Sequence, residues 1–201
     1  MEINHGLLIV LSGPSGSGKG TICQELLRQM PKLRYSVSST TRCPRPGEVE
    51  GIHYYFHTRQ EFQAMLARDE MLEWAEFCNN YYGTPRFIVE QAIQEGLDVI
   101  LEIEIQGAMQ IKKRFPQGVF TFIIPPSLDV LSERIHKRGT ETEEVIQKRL
   151  ATAIQELEYV GEYDYVVIND EVPMAVEKLK SILVAEKCRV KRKPFVFKGE
   201  F

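Results

Sequence analysis

The sequence has little of what marks a secreted, membrane or metal-binding protein. Its four histidines form no ligand pattern, because His53 and His57 would share a face only in a helix and their neighbours predict a strand. Its cysteines have neither metal-ligand nor disulfide-framework spacing, and they are Cys23, Cys43, Cys78 and Cys188. No segment near Met1 has the charged-then-apolar pattern of a signal peptide, and no apolar run approaches the length of a membrane span. We therefore expect a cytoplasmic protein that does not enter a membrane.

An excess of charge of one sign is also missing. The 25 Lys and Arg residues nearly balance the 28 Asp and Glu residues, which gives a formal net charge of −3. A nucleic-acid polymer is therefore not favoured as a partner by any overall field, whereas small anions can bind local basic clusters. At 201 residues, 43% of them hydrophobic, the chain is long enough for one well-buried core with inserted subdomains.

Residues 13–21 read GPSGSGKGT and are the most informative stretch of the chain. They follow an apolar run at residues 7–11 and precede an amphipathic segment, which gives the order strand, glycine loop, helix. Glycines let the backbone curl so that successive N–H groups face an anion, while the helix N-terminus and Lys19 add positive charge. Gly20 stands where the phosphate-loop pattern has Ser or Thr, and a hydroxyl follows at Thr21. An ordinary Gly/Ser turn is the alternative, but the flanking segments and the lysine favour a site for a nucleoside triphosphate.

Alternating strand and helix patterns predict the fold class. Apolar spacing predicts helices over residues 22–30, around 62–66, over 88–95, from about 107, over 127–160 with a break at 138–140, and over 172–187. Strand patterns occupy residues 34–40, 52–56, 71–77, 97–105, 119–124 and 165–168. This order predicts an α/β protein whose parallel sheet is covered by helices on both sides, with residues 36–88 as an insertion. The basic segment 187–193 is interpreted as a solvated chain end rather than a phosphate or RNA site.

Four further segments make the chain resemble the guanylate kinase family. They are SSTTRCPRPGE at 38–48, NYYGT at 80–84, RGTETEE at 138–144 and VIND at 167–170, and the resemblance extends from about residue 7 to 187. It implies a single nucleoside monophosphate kinase domain of the P-loop class, with a parallel-sheet core at residues 1–35, 89–125 and 161–187. A GMP-binding insertion would occupy residues 36–88, a helical lid region 126–160 and a basic tail 188–201.

The implied activity is transfer of the γ-phosphoryl group of ATP to GMP, which gives ADP and GDP for purine nucleotide metabolism and GMP recycling. Mg²⁺ is the implied cofactor and would bridge the β- and γ-phosphates of ATP, with no residue assigned as its direct ligand. Phosphoryl transfer depends on positioning and charge neutralisation, and the attacking phosphate oxygen is already ionised near neutral pH. The resemblance therefore implies an enzyme that needs no general base.

The resemblance also assigns site residues by motif. ATP would be bound by Gly13, Pro14, Ser15, Gly16, Ser17, Gly18, Lys19, Gly20, Thr21 and Asn169. The phosphate of GMP would be bound by Arg42, Arg45, Tyr54 and Tyr82, and its guanine by Ser38, Glu73 and Thr84. The migrating phosphoryl group would be surrounded by Lys19, Arg42, Arg134, Arg138 and Arg149. An acidic pair, Glu102 and Glu104, would hold the water shell of the magnesium ion or contact GMP.

The guanine assignment has a clear chemical basis. Guanine presents two donors on one edge, N1–H and the N2 amine, and the ionised carboxylate of Glu73 can accept from both. Adenine presents an acceptor at N1 and lacks that amine, so the mismatch can give discrimination on the order of 10⁴.

Each assigned residue also has an ordinary structural interpretation. Taken alone, the arginines would be solvated or ion-paired, the tyrosines packing residues, the acids exposed or structural, and Asn169 a turn residue. Two rival functions follow: a non-catalytic interaction module of the same fold, and a kinase of that fold with a different phosphorylated acceptor. The intact Gly18-Lys19 pair argues against the first, and Ser38, Glu73 and Thr84 together argue against the second.

Overall fold

A computed structural model of the protein describes residues 6–137 and 143–192. The strands, in chain order, are β1 (Leu8–Ser12), β2 (Leu33–Tyr35), β3 (Ser39–Thr40), β4 (Tyr55–Phe56), β5 (Met71–Phe77), β6 (Asn80–Pro85), β7 (Asp98–Glu102), β8 (Val119–Ile124) and β9 (Tyr165–Ile168). The α-helices are α1 (Lys19–Gln29), α2 (Arg59–Ala67), α3 (Arg86–Gln94), α4 (Ile105–Arg114), α5 (Leu128–His136), α6 (Glu143–Leu157) and α7 (Val172–Lys187). Short 3₁₀ helices cover Glu158–Glu162 and Val190–Arg192. Within the described residues, no helix combines the length and apolarity needed to cross a bilayer.

The larger sheet is parallel throughout and has the strand order β2-β7-β1-β8-β9. Its strands are nearly continuous apolar runs because both faces are covered. On one face Ile9 and Leu11 pack with α1 and α7, and on the other Leu8 and Val10 pack with α3 and α4. The structure therefore confirms the doubly covered parallel sheet predicted from the alternation.

A second, four-stranded sheet lies within residues 39–85 and has the order β4-β3-β6-β5. Its strands β5 and β6 pair antiparallel, with a register shift between Met71 and Glu73. Behind it, Phe62 of α2 stacks on Tyr81 of β6 at a ring-centroid distance of 5.3 Å. Leu72, by contrast, packs in the cluster of the larger sheet. One side chain of β5 therefore ties the small sheet to the main core.

Most predicted elements are confirmed, and three strands are placed or bounded differently. The strand predicted over 34–40 is two strands, since β2 pairs with β7 of the large sheet and β3 pairs with β4 and β6 of the small one. The strand predicted over 52–56 is reduced to β4, because the chain turns at Gly51 (φ +72°) and the Val49 N–H donates to His53 Nδ1. The strand β6 had no counterpart in the sequence patterns.

The third strand that is bounded differently is the one predicted over residues 97–105. Here β7 ends at Glu102, because its neighbour β1 pairs only as far as Leu11 opposite Glu102 before the chain enters the glycine loop. Glu104 is instead the N-cap residue of α4, which begins at Ile105, two residues before the predicted start. Glu102 and Glu104 therefore do not share a strand face as predicted.

The basic segment is exposed over residues 187–191, and two of its arginines also bond to a buried carboxylate of α7. Glu186 of α7 is 1% exposed and accepts hydrogen bonds from Tyr165, Arg189 and Arg192. Arg192 also donates to the carbonyl of Gln117 at 2.7 Å. A buried carboxylate needs such partners, so Arg189 and Arg192 bond back to α7, although residues 187–191 are exposed as expected of a solvated chain end.

Candidate active site

The glycine loop joins β1 to α1 in a conformation that only glycine adopts readily. Gly13, Gly16 and Gly18 have φ values of +145°, +91° and +89°, and Gly18 is the N-cap of α1. A Cβ at Gly13 would lie 2.1 Å from the carbonyl oxygen of Ile123. The loop therefore begins in close contact with the backbone of β8 at Ile123 and ends at the N-terminus of α1.

Lys19 is held within this loop. Its Nζ donates to the carbonyl oxygens of Gly13 at 2.6 Å and Pro14 at 3.2 Å. The ammonium group thus lies over the concave side of the loop, where it can exchange these carbonyls for an anionic ligand.

Arg134 and Asn169 converge on the other end of the loop. Asn169, which follows β9, donates from Nδ2 to the Ser17 carbonyl at 2.7 Å, and its backbone N–H donates to Ile124 O. Arg134 of α5 donates to the Asn169 carbonyl at 3.0 Å and approaches Ser17 O at 3.4 Å. Three segments far apart in sequence therefore meet at Ser17.

A cavity of about 310 Å³ opens beside this junction, lined by Gly16, Gly18, Thr21, Arg134, Lys137, Asn169 and Val172. Asn169 is 2% exposed, and its Oδ1 is buried with no hydrogen-bond partner among the described residues. An unpaired buried acceptor is costly, so this atom is suited to receive a donor from a ligand.

The predicted lid arginines differ in whether the structure places them at the glycine loop. Arg149 of α6 donates to Ser15 Oγ at 2.6 Å, so this helix reaches the glycine loop directly. Arg138 lies outside the described residues, and α5 ends at His136, before it. The structure therefore brings two of the three predicted lid arginines, Arg134 and Arg149, to the loop.

The arginine-bearing loop is organised by Glu48. Its carboxylate accepts two bonds from the Arg42 guanidinium, at 2.9 and 2.8 Å, and a third from the backbone N–H of Arg45 at 2.8 Å. The hydrogen bonds from Arg42 hold the pKa of Glu48 at about 2. The guanidinium also lies over the Tyr54 ring at 5.4 Å from its centroid, and Tyr82 packs edge-on against Tyr54 at 6.1 Å. Arg42, Tyr54 and Tyr82 thus form one cluster, with the exposed Arg45 at its rim.

Glu73 and Thr84 face each other on neighbouring strands. They are paired in the register of β5 and β6, and Thr84 Oγ1 donates to Glu73 Oε1 at 2.6 Å. Glu73 is 6% exposed and Thr84 fully buried, and this burial raises the pKa of Glu73. The second carboxylate oxygen lies against α4, where a Cβ at Gly107 would be 2.6 Å from it. Because such a close approach needs a residue without a side chain, Gly107 is part of the site.

Three further predicted residues, Ser38, Glu102 and Glu104, lie on segments next to these groups. Ser38 lies in the crossing between the two sheets, where its carbonyl accepts the N–H of Tyr55 at 2.9 Å. Glu102 is half-buried at the end of β7, and a Cβ at Gly20 would lie 3.5 Å from its Oε1. Glu104 is exposed at the start of α4.

Two residues of the site were missed by sequence reasoning. Glu48 lies within the SSTTRCPRPGE segment, where the acid close to two arginines was the available signal. Gly107 gave no signal, since a lone glycine near a helix start is unremarkable until its neighbour is known. In the part of the chain that the structure describes, no group of three or more His, Cys, Asp or Glu residues could hold a metal ion by itself.

The chain is similar in sequence and in structure to known guanylate kinases. The family model described as guanylate kinase matches residues 5–186. A guanylate kinase of Desulfitobacterium hafniense (strain Y51) is 76% identical over 199 residues, which are 99% of this chain and 100% of that protein. One of Halalkalibacterium halodurans is 55% identical over 192 residues, 96% of this chain and 94% of that protein. The crystal structure of guanylate kinase from Anaplasma phagocytophilum has a TM-score of 0.78 at 33% identity, covering 96% of this chain and 92% of that one.

Proposed function

Because this chain belongs to the guanylate kinase family, whose members are ATP:GMP phosphotransferases, we propose how its residues divide the work of that reaction. The γ-phosphoryl group of ATP passes to GMP, and the products are ADP and GDP. The site has two ends: the glycine loop binds the triphosphate, and the buried carboxylate binds the acceptor base.

ATP binds with its phosphates in the loop of residues 13–18 and its base in the adjoining cavity. Backbone N–H groups and the N-terminus of α1 bind the phosphate oxygens, and Lys19 moves from its carbonyl partners to the terminal phosphates. The buried Oδ1 of Asn169, which has no partner in the part of the chain that the structure describes, supports placing adenine in the cavity, because the adenine amine can supply the missing donor.

GMP is held at its phosphate by the Arg42 cluster. Guanidinium groups offer paired donors to phosphate oxygens, and the tyrosine hydroxyls of Tyr54 and Tyr82 add neutral donors. The bond to Glu48 positions Arg42 before substrate arrives, so that little side-chain entropy is lost on binding. Arg45 extends the same phosphate site from the rim.

The observation that carries the proposal is the buried Glu73–Thr84 pair. Removed from water, the Glu73 carboxylate requires donors, and the N1–H and N2 amine of guanine supply two. Thr84 can turn its hydroxyl towards the O6 acceptor of guanine while Glu73 binds the two donors, and Ser38 contacts the base from the crossing segment. A purine without an N2 amine leaves part of the carboxylate unsatisfied, which is how the site selects guanine.

Magnesium would enter this site bound to ATP, rather than be held there by a set of protein ligands. Carboxylates suit Mg²⁺, which keeps several waters, and Glu102 lies beside Gly20, where most phosphate loops carry a hydroxyl. Glu102 would therefore hold the water shell, with Glu104 further out. When bound, the ion neutralises charge on the β- and γ-phosphates.

Catalysis then consists of orientation and charge neutralisation. Lys19, Arg42, Arg134 and Arg149 surround the migrating group, and Arg138, outside the described residues, completes the set by sequence. The acceptor oxygen is already ionised, so no base removes a proton. Residues 126–160 would act as a lid that excludes water, and the insertion at 36–88 would hold GMP. We place the reaction in the cytoplasm, because the substrates are ATP and GMP and all four cysteines are unpaired.

An ADP-release assay with a panel of acceptors tests the proposal. With ATP and magnesium, we expect GMP to be used far better than AMP, UMP or ribose phosphates, and Glu73→Gln to reduce the preference for GMP over AMP. No ADP release with any acceptor would indicate an interaction module instead. Equal use of another acceptor would indicate a kinase of different specificity.

A further inference from the structure

Among the described residues, no strand lies beside the outer edge of β5, the strand that carries Glu73. In the order β4-β3-β6-β5, β5 has β6 on one side only. An edge strand presents unpaired N–H and C=O groups, which water or another element must satisfy. In this protein the element is α4, a helix of the main core.

Three residues of one α4 face run along that edge. Gly107 lies against the Glu73 carboxylate. One turn later, Gln110 Oε1 accepts the Trp74 backbone N–H at 3.2 Å and its Nε2 donates to the Trp74 carbonyl at 2.8 Å. A turn further on, Arg114 donates to the Met71 carbonyl at 2.8 Å. The side-chain amide of Gln110 thus imitates a neighbouring strand at one residue.

The peptide group that Gln110 binds is the one next to Glu73. The Trp74 N–H belongs to the peptide plane that joins Glu73 to Trp74, so holding that N–H fixes ψ of Glu73. The register shift between Met71 and Glu73 makes this control necessary, because an irregular strand is less constrained by its ladder. Gly107 meanwhile leaves the space into which the carboxylate is directed.

We propose that Gln110 is a positioning residue for guanine recognition, which clamps the Trp74 peptide groups and thereby aims the Glu73 carboxylate. The inference rests on the proposed role of Glu73. It adds that purine selectivity depends on an α4 side chain that never touches the substrate. It also means that the small sheet's edge is held in register by the core.

Gln110→Ala and Gln110→Met remove both hydrogen bonds, and Met keeps the length of the side chain. The matched control is Gln91→Ala, which removes an exposed hydrogen bond from Gln91 of α3 to Glu95, the C-cap residue of that helix. Trp74 is the chain's single tryptophan, so its emission reports directly on the clamp. GMP and IMP affinities are measured by titration of that emission without ATP, and the KM for ATP is measured separately.

We expect both Gln110 variants to bind GMP about tenfold more weakly, since two hydrogen bonds are lost. IMP, which lacks the N2 amine, should be affected less, so the preference for GMP shrinks. The emission of free Trp74 should shift, while the KM for ATP stays within about twofold. Gln91→Ala should match the wild type in every measurement.

Equal losses for GMP and IMP, or no loss for either, would overturn the inference. The Glu73→Gln variant distinguishes failure of the proposed role of Glu73 from failure of the positioning role of Gln110. If it leaves the GMP-over-IMP preference intact, the proposed role of Glu73 fails. If it lowers that preference and the Gln110 variants do not, only the positioning role fails. In the Glu73→Gln background, Gln110→Ala should bring no further loss of preference.

Discussion

Adding one methyl group at Gly107 should damage guanine binding without unfolding the protein. A Cβ there would lie 2.6 Å from Glu73 Oε2 and 3.1 Å from its Cδ. The atoms it meets are the far end of a flexible side chain, so we expect the carboxylate to move by about 1 Å while the backbone stays in place. Gly107 is helical, and alanine is favoured over glycine in helices by up to about 1 kcal/mol. The change in stability should therefore be small.

The loss appears instead in the affinity for GMP. A hydrogen bond to an ionised group contributes about 1.5–3 kcal/mol, and its strength falls steeply when distance or angle is disturbed. If the displaced carboxylate loses one of its two bonds to guanine, the KM for GMP rises about 10- to 100-fold. The KM for ATP should change little, because the glycine loop lies on other elements.

Steady-state kinetics and thermal unfolding of Gly107→Ala test this directly. Gly161→Ala is the control, since a Cβ at Gly161 meets nothing within 4 Å. An unchanged KM for GMP would refute the reasoning, because the carboxylate would then have another place from which to bind. Equal increases in KM for both substrates would point to general damage rather than to the base site.

Three further outcomes are expected. Lys19→Ala should lower kcat about a hundredfold or more while stability changes by about 1 kcal/mol, as turnover and melting curves will show. Burial raises the pKa of Glu73, so the free protein should become more stable as the pH falls through that pKa towards 4.5. GMP affinity should fall over the same range, because guanine binds the ionised carboxylate. Calorimetry should therefore detect proton release on GMP binding, and this release should be absent in Glu73→Gln. Burial raises the pKa of Glu186, but hydrogen bonds from Tyr165 and Arg192 lower it by more, so the net pKa lies below 4.5. The ionised carboxylate therefore stabilises the fold fully above pH 4.5, and this stabilisation is lost as the pH falls further. Glu186→Gln should cost about 3 kcal/mol of stability at neutral pH and make stability less dependent on pH in acid.

The sequence predicted the elements whose patterns are local. The glycine loop, β8, β9 and α7 follow from apolar runs and from glycine and lysine spacing, and the structure confirms them. A strand's partner is not a local property. Residues 34–40 look like one strand, yet Leu33–Tyr35 and Ser39–Thr40 belong to different sheets. Likewise, β7 ends at Glu102, where its pairing with β1 stops at Leu11, and its own residues do not encode that end.

In the site, too, residues that belong to local motifs could be predicted, and contacts between distant segments could not. Motifs located Lys19, Arg42 and Glu73 in the sequence, and their roles stay predictions that the geometry supports. Contacts between distant segments could not be found from motifs, such as Arg149 with Ser15, 134 positions apart. The close approach of Gly107 to Glu73 and the bond of Asn169 to Ser17 depend likewise on tertiary packing.

The most direct test of the account is a structure of the protein with bound GMP. We expect guanine N1 and N2 each within about 3 Å of a Glu73 carboxylate oxygen, with the phosphate on Arg42, Tyr54 and Tyr82. GMP bound with Glu73 directed away from the base, or with its phosphate elsewhere, would contradict the central claim.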